Sequence, residues 1–259
     1  MYPLIISLVG LLLIVMIGYN IIQQYKHKAE TERRISVSKQ HATITEVDEL
    51  LLYSTKIPFS KALLLILKNR IRNALYVMIN ISPSTASYKE HFADTEAQIK
   101  QIKENYVAPS PSSLQVPAND KDALALVQAT KKLRAVLRSE HAKQKINTDL
   151  FVLENQQLEI TQLKINIEIS IKRINEAKKQ KQYNTARQMT DKILKILNNI
   201  PNKDNVLENK QTLLENLKTE VSSYLTNEQN DALDSQQQTK KEDTKKKDLE
   251  RLFADKQKW

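Results

Sequence analysis

Lys131, Arg134, Arg138, His141 and Lys145 recur at spacings of three and four residues. On a helix they form one basic stripe, with Leu133 and Leu137 turned away from it. Cations in such a row can meet the phosphates of a nucleic acid or of lipid headgroups, or an acidic protein. The same row suits a solvated helix face. No aromatic residue is interleaved for base stacking, and no DNA-binding motif surrounds the stripe. Nucleic acid is therefore admitted as a partner but not favoured.

A second grouping is Asp248 to Trp259, DLERLFADKQKW. Leu249, Leu252 and Phe253 have the spacing of one helix face, and Trp259 is the only tryptophan. They follow NEQNDALDSQQQTKKEDTKKK, too polar to bury enough surface to order itself. An apolar cluster at the end of such a tether reads as a peptide that docks in a partner's groove. The competing reading folds it back on its own helices.

Catalytic chemistry is poorly supplied. His27, His41, His91 and His141 are scattered, without the spacing of metal ligands. There is no cysteine, and no GxSxG elbow. Phosphate-cradling loops need glycines, and the chain has two, Gly10 and Gly18. The acid pairs Asp48-Glu49 and Glu242-Asp243 read as solubility. No catalytic residue, metal or cofactor is expected, and the chain reads as a non-enzyme.

The elements behind these groups are legible from punctuation. Leu4 to Ile22 carries no charge and is long enough for the hydrocarbon core of a bilayer, about 30 Å. Tyr2, Tyr19 and Tyr25 sit where an interfacial aromatic belt would place them. A cleaved signal would need a basic start and a small-residue cleavage site, and neither is evident. Lys26, Lys28, Arg33, Arg34 and Lys39 follow the run, which expects the N-terminus outside and the remainder in the cytoplasm. Everything after Asn20 is free of glycine, which disfavours hairpins and favours helices.

An all-α fold is therefore expected. It comprises an N-terminal transmembrane helix, an elongated helical bundle or coiled-coil region, and a disordered C-terminal tail. With 5 % aromatic and 27 % charged residues, Leu and Ile seams must do most of the burying. The formal charge of +10 speaks to partners and solubility, not fold. The first helix should end near Lys56, before Ile57-Pro58. Ser60 should cap a second, Lys61 to Ile81, with Leu64, Leu67, Ile71, Leu75 and Met78 on its apolar side. Ser82-Pro83 should open a third, ending near Tyr106. The Pro/Ser-rich stretch 107–119 reads as a linker. Later helices are expected from Asp120, from Asn147 to Lys179, from Tyr183 to Asn199 and from Val206 to Leu225. The divisions are then 1–22 anchor, 23–106 juxtamembrane helices, 107–119 linker, 120–226 bundle, 227–247 tether and 248–259 docking peptide.

The fifth helix carries Ile146, Leu153, Ile160, Ile167 and Ile174 every seven residues, an "a" seam that could serve self-association. Its "d" positions are poor, so a free-standing dimer is not well encoded. Leu163 to Ile171 alternates apolar and polar, a strand signal, but no turn residues flank it and no partner strand exists. Helix is the reading retained. Lys181-Gln182-Tyr183-Asn184-Thr185-Ala186 resembles the turn of a tetratricopeptide repeat over one hairpin, without a second repeat.

The anchor, the basic juxtamembrane helix, Ile57-Pro58-Phe59-Ser60-Lys61, Lys132-Leu133-Arg134-Ala135-Val136-Leu137-Arg138-Ser139-Glu140-His141 and the lysine-rich tail together resemble a group of single-pass membrane proteins of gammaproteobacteria. Some of these are labelled DNA-repair proteins. The likeness implies a bacterial inner-membrane location and no catalytic residue. The layout is also similar to bitopic division proteins that hold a cytoplasmic partner at the membrane, by analogy alone. The function expected is a membrane-anchored scaffold or tether for a protein partner. The alternatives are membrane-proximal nucleic-acid binding and a purely structural, self-associating role.

Overall fold

The computed structural model describes residues 2–82, 85–200 and 203–226; the side chains of 2–15, Ile17 and Pro111 fall outside that description. Every regular element among the described residues is a helix, as the sequence leads one to expect. They are α1 (Tyr2–Leu51), α2 (Lys61–Ile81), α3 (Ala86–Asn105), α4 (Asp120–Ala142), α5 (Thr148–Lys179), α6 (Tyr183–Asn198) and α7 (205–226). Short 3-10 turns lie at Leu52–Thr55 and Pro111–Ser113. No helix among the described residues is long and apolar enough to cross a membrane. The expected anchor, Leu4 to Ile22, falls largely on side chains outside the description, so the structure lends it no support.

The chain divides into two compact units. One comprises Met1–Gln115 with Gln128–Thr161, the other Val116–Val127 with Gln162–Trp259. In the first, α2 packs against α1 and α3. Its Leu63, Ile66, Leu67, Ile71, Ala74, Leu75 and Met78 are buried at spacings of three and four residues. Ser60 starts the helix: its backbone is extended and its hydroxyl accepts the Leu63 N–H at 2.9 Å. Ile57 and Phe59, on either side of Pro58, are both buried. Among the described side chains of α1 the first buried one is Ile44, followed by Val47 and Leu50.

α3 begins at Ala86 after Thr85, while Pro83 and Ser84 of the expected start lie outside the described residues. Its C-terminal end is tied down twice. Lys61 Nζ donates to the Lys103 carbonyl at 2.7 Å, and the Tyr106 hydroxyl to the Phe59 carbonyl at 2.9 Å. The stretch expected as a linker is pinned as well, because the Gln115 N–H donates to the Lys56 carbonyl at 3.0 Å.

Two helix ends use left-handed residues that are not glycine. Gln144 closes α4 with φ 57°, and the Lys145 N–H reaches back to the Glu140 carbonyl at 3.0 Å. Lys181 closes α5 with φ 58°, and the Gln182 N–H reaches the Ala177 carbonyl at 2.9 Å. Both are Schellman-type endings, in which glycine is the usual residue.

In the second unit the strand-like alternation of α5 finds its explanation. Residues two apart on a helix lie about 200° apart, so alternation paints two opposite faces. Ile165 and Ile169 are buried on one face, and Ile167, Ile171 and Ile174 on the other. Ala186, Ile193, Leu194 and Leu197 of α6 are buried, as are Leu207, Leu214 and Val221 of α7. Three ion pairs set the register of α5 and α7: Lys164 with Asp204, Glu168 with Lys210, and Lys178 with Glu220. The partners advance together along both helices, so these run parallel.

Candidate functional site

The basic stripe of α4 is mostly occupied by its own chain. Arg134 keeps only 18 % of its side chain exposed. Its Nε donates to Asn155 Oδ1 at 3.1 Å and its Nη2 to Glu159 Oε2 at 3.3 Å, both on α5. His141 stacks on Phe151 with centroids 4.5 Å apart, and its Nε2 lies 3.3 Å from Thr148 Oγ1. Lys145, expected on the same helical stripe, lies beyond the end of α4 past the left-handed Gln144, and its Nζ stands 3.7 Å from Glu140 Oε2. Lys131 and Arg138 are exposed. The row therefore splits. Arg134 and His141 fasten α4 to α5, and the phosphate-contacting surface expected of five cations shrinks to its exposed members.

The heptad seam does not form one surface. Leu153 is exposed, Ile146 and Ile160 are half-buried, and Ile167 and Ile174 are buried inside the second unit. Leu249, Leu252, Phe253 and Trp259 lie outside the described residues. Among the described residues no group of three or more His, Asp or Glu could hold a metal ion.

Three polar sites escaped the sequence reading. The first joins α1, α2 and α4. Arg70 Nη1 donates to Glu140 Oε1 at 2.8 Å and Nη2 to Glu46 Oε2 at 3.1 Å. Arg70 is 12 % exposed, Glu140 4 % and Glu46 41 %. Lys143 Nζ also donates to Glu140 Oε1, at 3.1 Å. Burial alone would raise the Glu140 carboxyl. The Lys143 hydrogen bond, with the charges of Lys145, Lys143 and Arg70, outweighs it and holds the group below its ordinary range.

The second site is Ser60, which donates to Glu154 Oε2 at 2.7 Å while capping α2. Glu154 is buried, and burial raises its carboxyl despite that hydrogen bond. The third is Asp204. One oxygen accepts the Leu207 N–H at 3.0 Å and so caps α7, and the other takes the buried Lys164. Burial would raise Asp204, but the Lys164 and Leu207 hydrogen bonds prevail and lower it. Sequence signals existed only for the caps: a serine before α2, and an aspartate three residues before Leu207.

The outer side of α7 carries a shallow groove lined by Asn209, Thr212, Leu213, Asn216, Leu217 and Glu220. A second depression lies where α1 meets the end of α2, with Arg33, Arg34, Val37, His41 and Ile81 among its walls. Neither gathers the nucleophile, base and oxyanion donors that catalysis would require. No protein family, curated protein or solved structure matches the chain.

Proposed function

We propose that the chain is a membrane-anchored helical tether that holds a protein partner near a bilayer. Leu4 to Ile22 would be the anchor, in a bacterial inner membrane, with the N-terminus outside and the helical units in the cytoplasm. Its support is the uncharged run and the cations that follow it. The observation that carries the reading is α1. It is one uninterrupted helix, Tyr2–Leu51, whose described side chains from Met16 to Ala29 are exposed apart from half-buried Gly18 and Gln23. Its last turns are held by Ile44, Val47 and Leu50, each worth about 1.5–3 kcal/mol of burial. The stretch Met16 to Ala29, ahead of the depression that α1 shares with Ile81, reaches about 20 Å, which suits holding a body off a surface.

The capture residues would be Leu249, Leu252, Phe253 and Trp259. Nucleic-acid binding through the basic stripe is the weaker reading, since Arg134 and His141 are engaged by α5. The test is a crosslinking pull-down from membranes, comparing the full chain with one ending at Lys247. Loss of a cytoplasmic protein with the tail supports the tether. An unchanged captured set defeats it, and nuclease-sensitive capture would favour the basic stripe.

A further inference from the structure

We propose that the segment Asp248 to Trp259 docks on the outer side of α7 of its own chain when no partner holds it. This rests on reading that segment as a docking peptide and adds a regulation to it: the partner must compete with α7. The bundle already uses Leu207, Leu214 and Val221, which are buried at heptad spacing. Leu213 and Leu217 form a second apolar pair one turn apart. Leu213 is exposed and Leu217 half-buried, in the groove flanked by Asn209, Thr212, Asn216 and Glu220. Glu220 is held by Lys178, and the rest of the rim, Asn209, Thr212 and Asn216, is neutral amide and hydroxyl, which suits an apolar helix face better than a charged ligand.

The length of the intervening chain selects this occupant. Leu213 lies about 20 Å back along α7 from Thr226 at 1.5 Å per residue. Stretch 227–247 lies outside the described residues; a polar chain of that length would span about 25 Å root-mean-square as a coil. The two distances match, which is where a tether gives its greatest effective concentration, in the millimolar range. A contact too weak to form between separate molecules is then occupied within one. Leu249, Leu252 and Phe253 present their spacing of three and four to Leu213 and Leu217, whose own spacing is four.

Trp259 reports the state, because it is the only tryptophan. The experiment measures its emission maximum and iodide quenching in the full chain, held in uncharged detergent micelles. The wild type should show a shielded tryptophan whose quenching does not change on tenfold dilution. L213D/L217D should raise the quenching constant several-fold with helix content unchanged by circular dichroism. L252D/F253D, which lies outside the described residues and away from α7 in sequence, should do the same and covers the case in which the α7 variant loses structure. A tryptophan equally exposed in all three proteins overturns the proposal. So does one shielded in all three, which would be covered by detergent. Neither result touches the tether reading, which depends on the membrane pull-down.

Discussion

Replacing Glu140 by glutamine should cost the first unit about 2–4 kcal/mol at neutral pH. Breaking a buried ion pair from one side typically costs about 3–5 kcal/mol, because the surviving charge is left without compensation. Here Arg70 is that survivor, 12 % exposed, with its Nε buried and without a hydrogen-bond partner. The loss is trimmed because Glu46 still accepts from Nη2 at 3.1 Å, though its side chain is 41 % exposed and its charge partly screened. Glu46→Gln should therefore cost under about 1 kcal/mol. Arg70→Met should fall between them, because Glu140 would keep Lys143 and Lys145. The assay is urea unfolding of the three variants and the wild type, followed by far-ultraviolet circular dichroism. The pH dependence sharpens it. Glu140 titrates below its ordinary range in the fold, so its stabilisation is complete above the unfolded carboxylate value and disappears as pH falls through the folded one. The gap between wild type and E140Q should close on acidification. A Glu140→Gln variant within about 0.5 kcal/mol of wild type at pH 7, the range of a surface substitution, would refute the idea that this cluster locks α1, α2 and α4.

Glu154 should behave in the opposite sense. Its carboxyl is raised by burial, so stability falls as pH climbs from the unfolded value through the folded one. Glu154→Gln should melt higher than wild type at pH 7 and alike near pH 4, by thermal circular dichroism. Gln144→Gly and Lys181→Gly should each add about 1 kcal/mol by relieving a left-handed side chain, read from urea midpoints; no gain at either site would show that other contacts hold those turns. Asp204→Asn keeps a capping oxygen but leaves Lys164 facing a neutral group, a loss of about 1–3 kcal/mol after allowance for the aspartate's partial exposure. Asp204→Ala should lose about 1 kcal/mol more with the cap, and equal melting of the two would remove the capping role.

Helix boundaries were readable where the backbone itself is constrained. Pro58 with Ser60, and Asn119 with Asp120, stand beside helix limits, because proline restricts its predecessor and small polar side chains satisfy orphan N–H groups: Ser60 takes the Leu63 N–H and Asn119 the Lys121 N–H. What a single sequence carries poorly is the azimuth of each helix. Leu124 belongs to the apolar set of α4 by pattern yet is exposed, while Ala123 and Leu126 are buried. The polar pairings were hidden for a different reason. Arg134 meets Glu159 and Arg70 meets Glu140 across tens of residues, and nothing in the local pattern separates a cation that will find a carboxylate from one that stays in water. The heptad of α5 misled in the same way. Spacing identified a continuous row, whereas packing buries Ile167 and Ile174 and leaves Leu153 exposed. The groove on α7 was invisible until the inner seam was assigned, since Leu213, Leu214 and Leu217 look alike in sequence.

The unbroken course of α1 also fixes a torsional phase. Because Ile44, Val47 and Leu50 lock one end of the helix against α2, any twist imposed ahead of Met16 arrives at the body as the same twist. One residue added between Tyr25 and Ile35 would turn the body by about 100° and advance it by about 1.5 Å, whereas seven added residues would return it to within about 20° of its starting bearing. If α1 serves as the proposed spacer, its length in residues would therefore encode a direction as well as a distance.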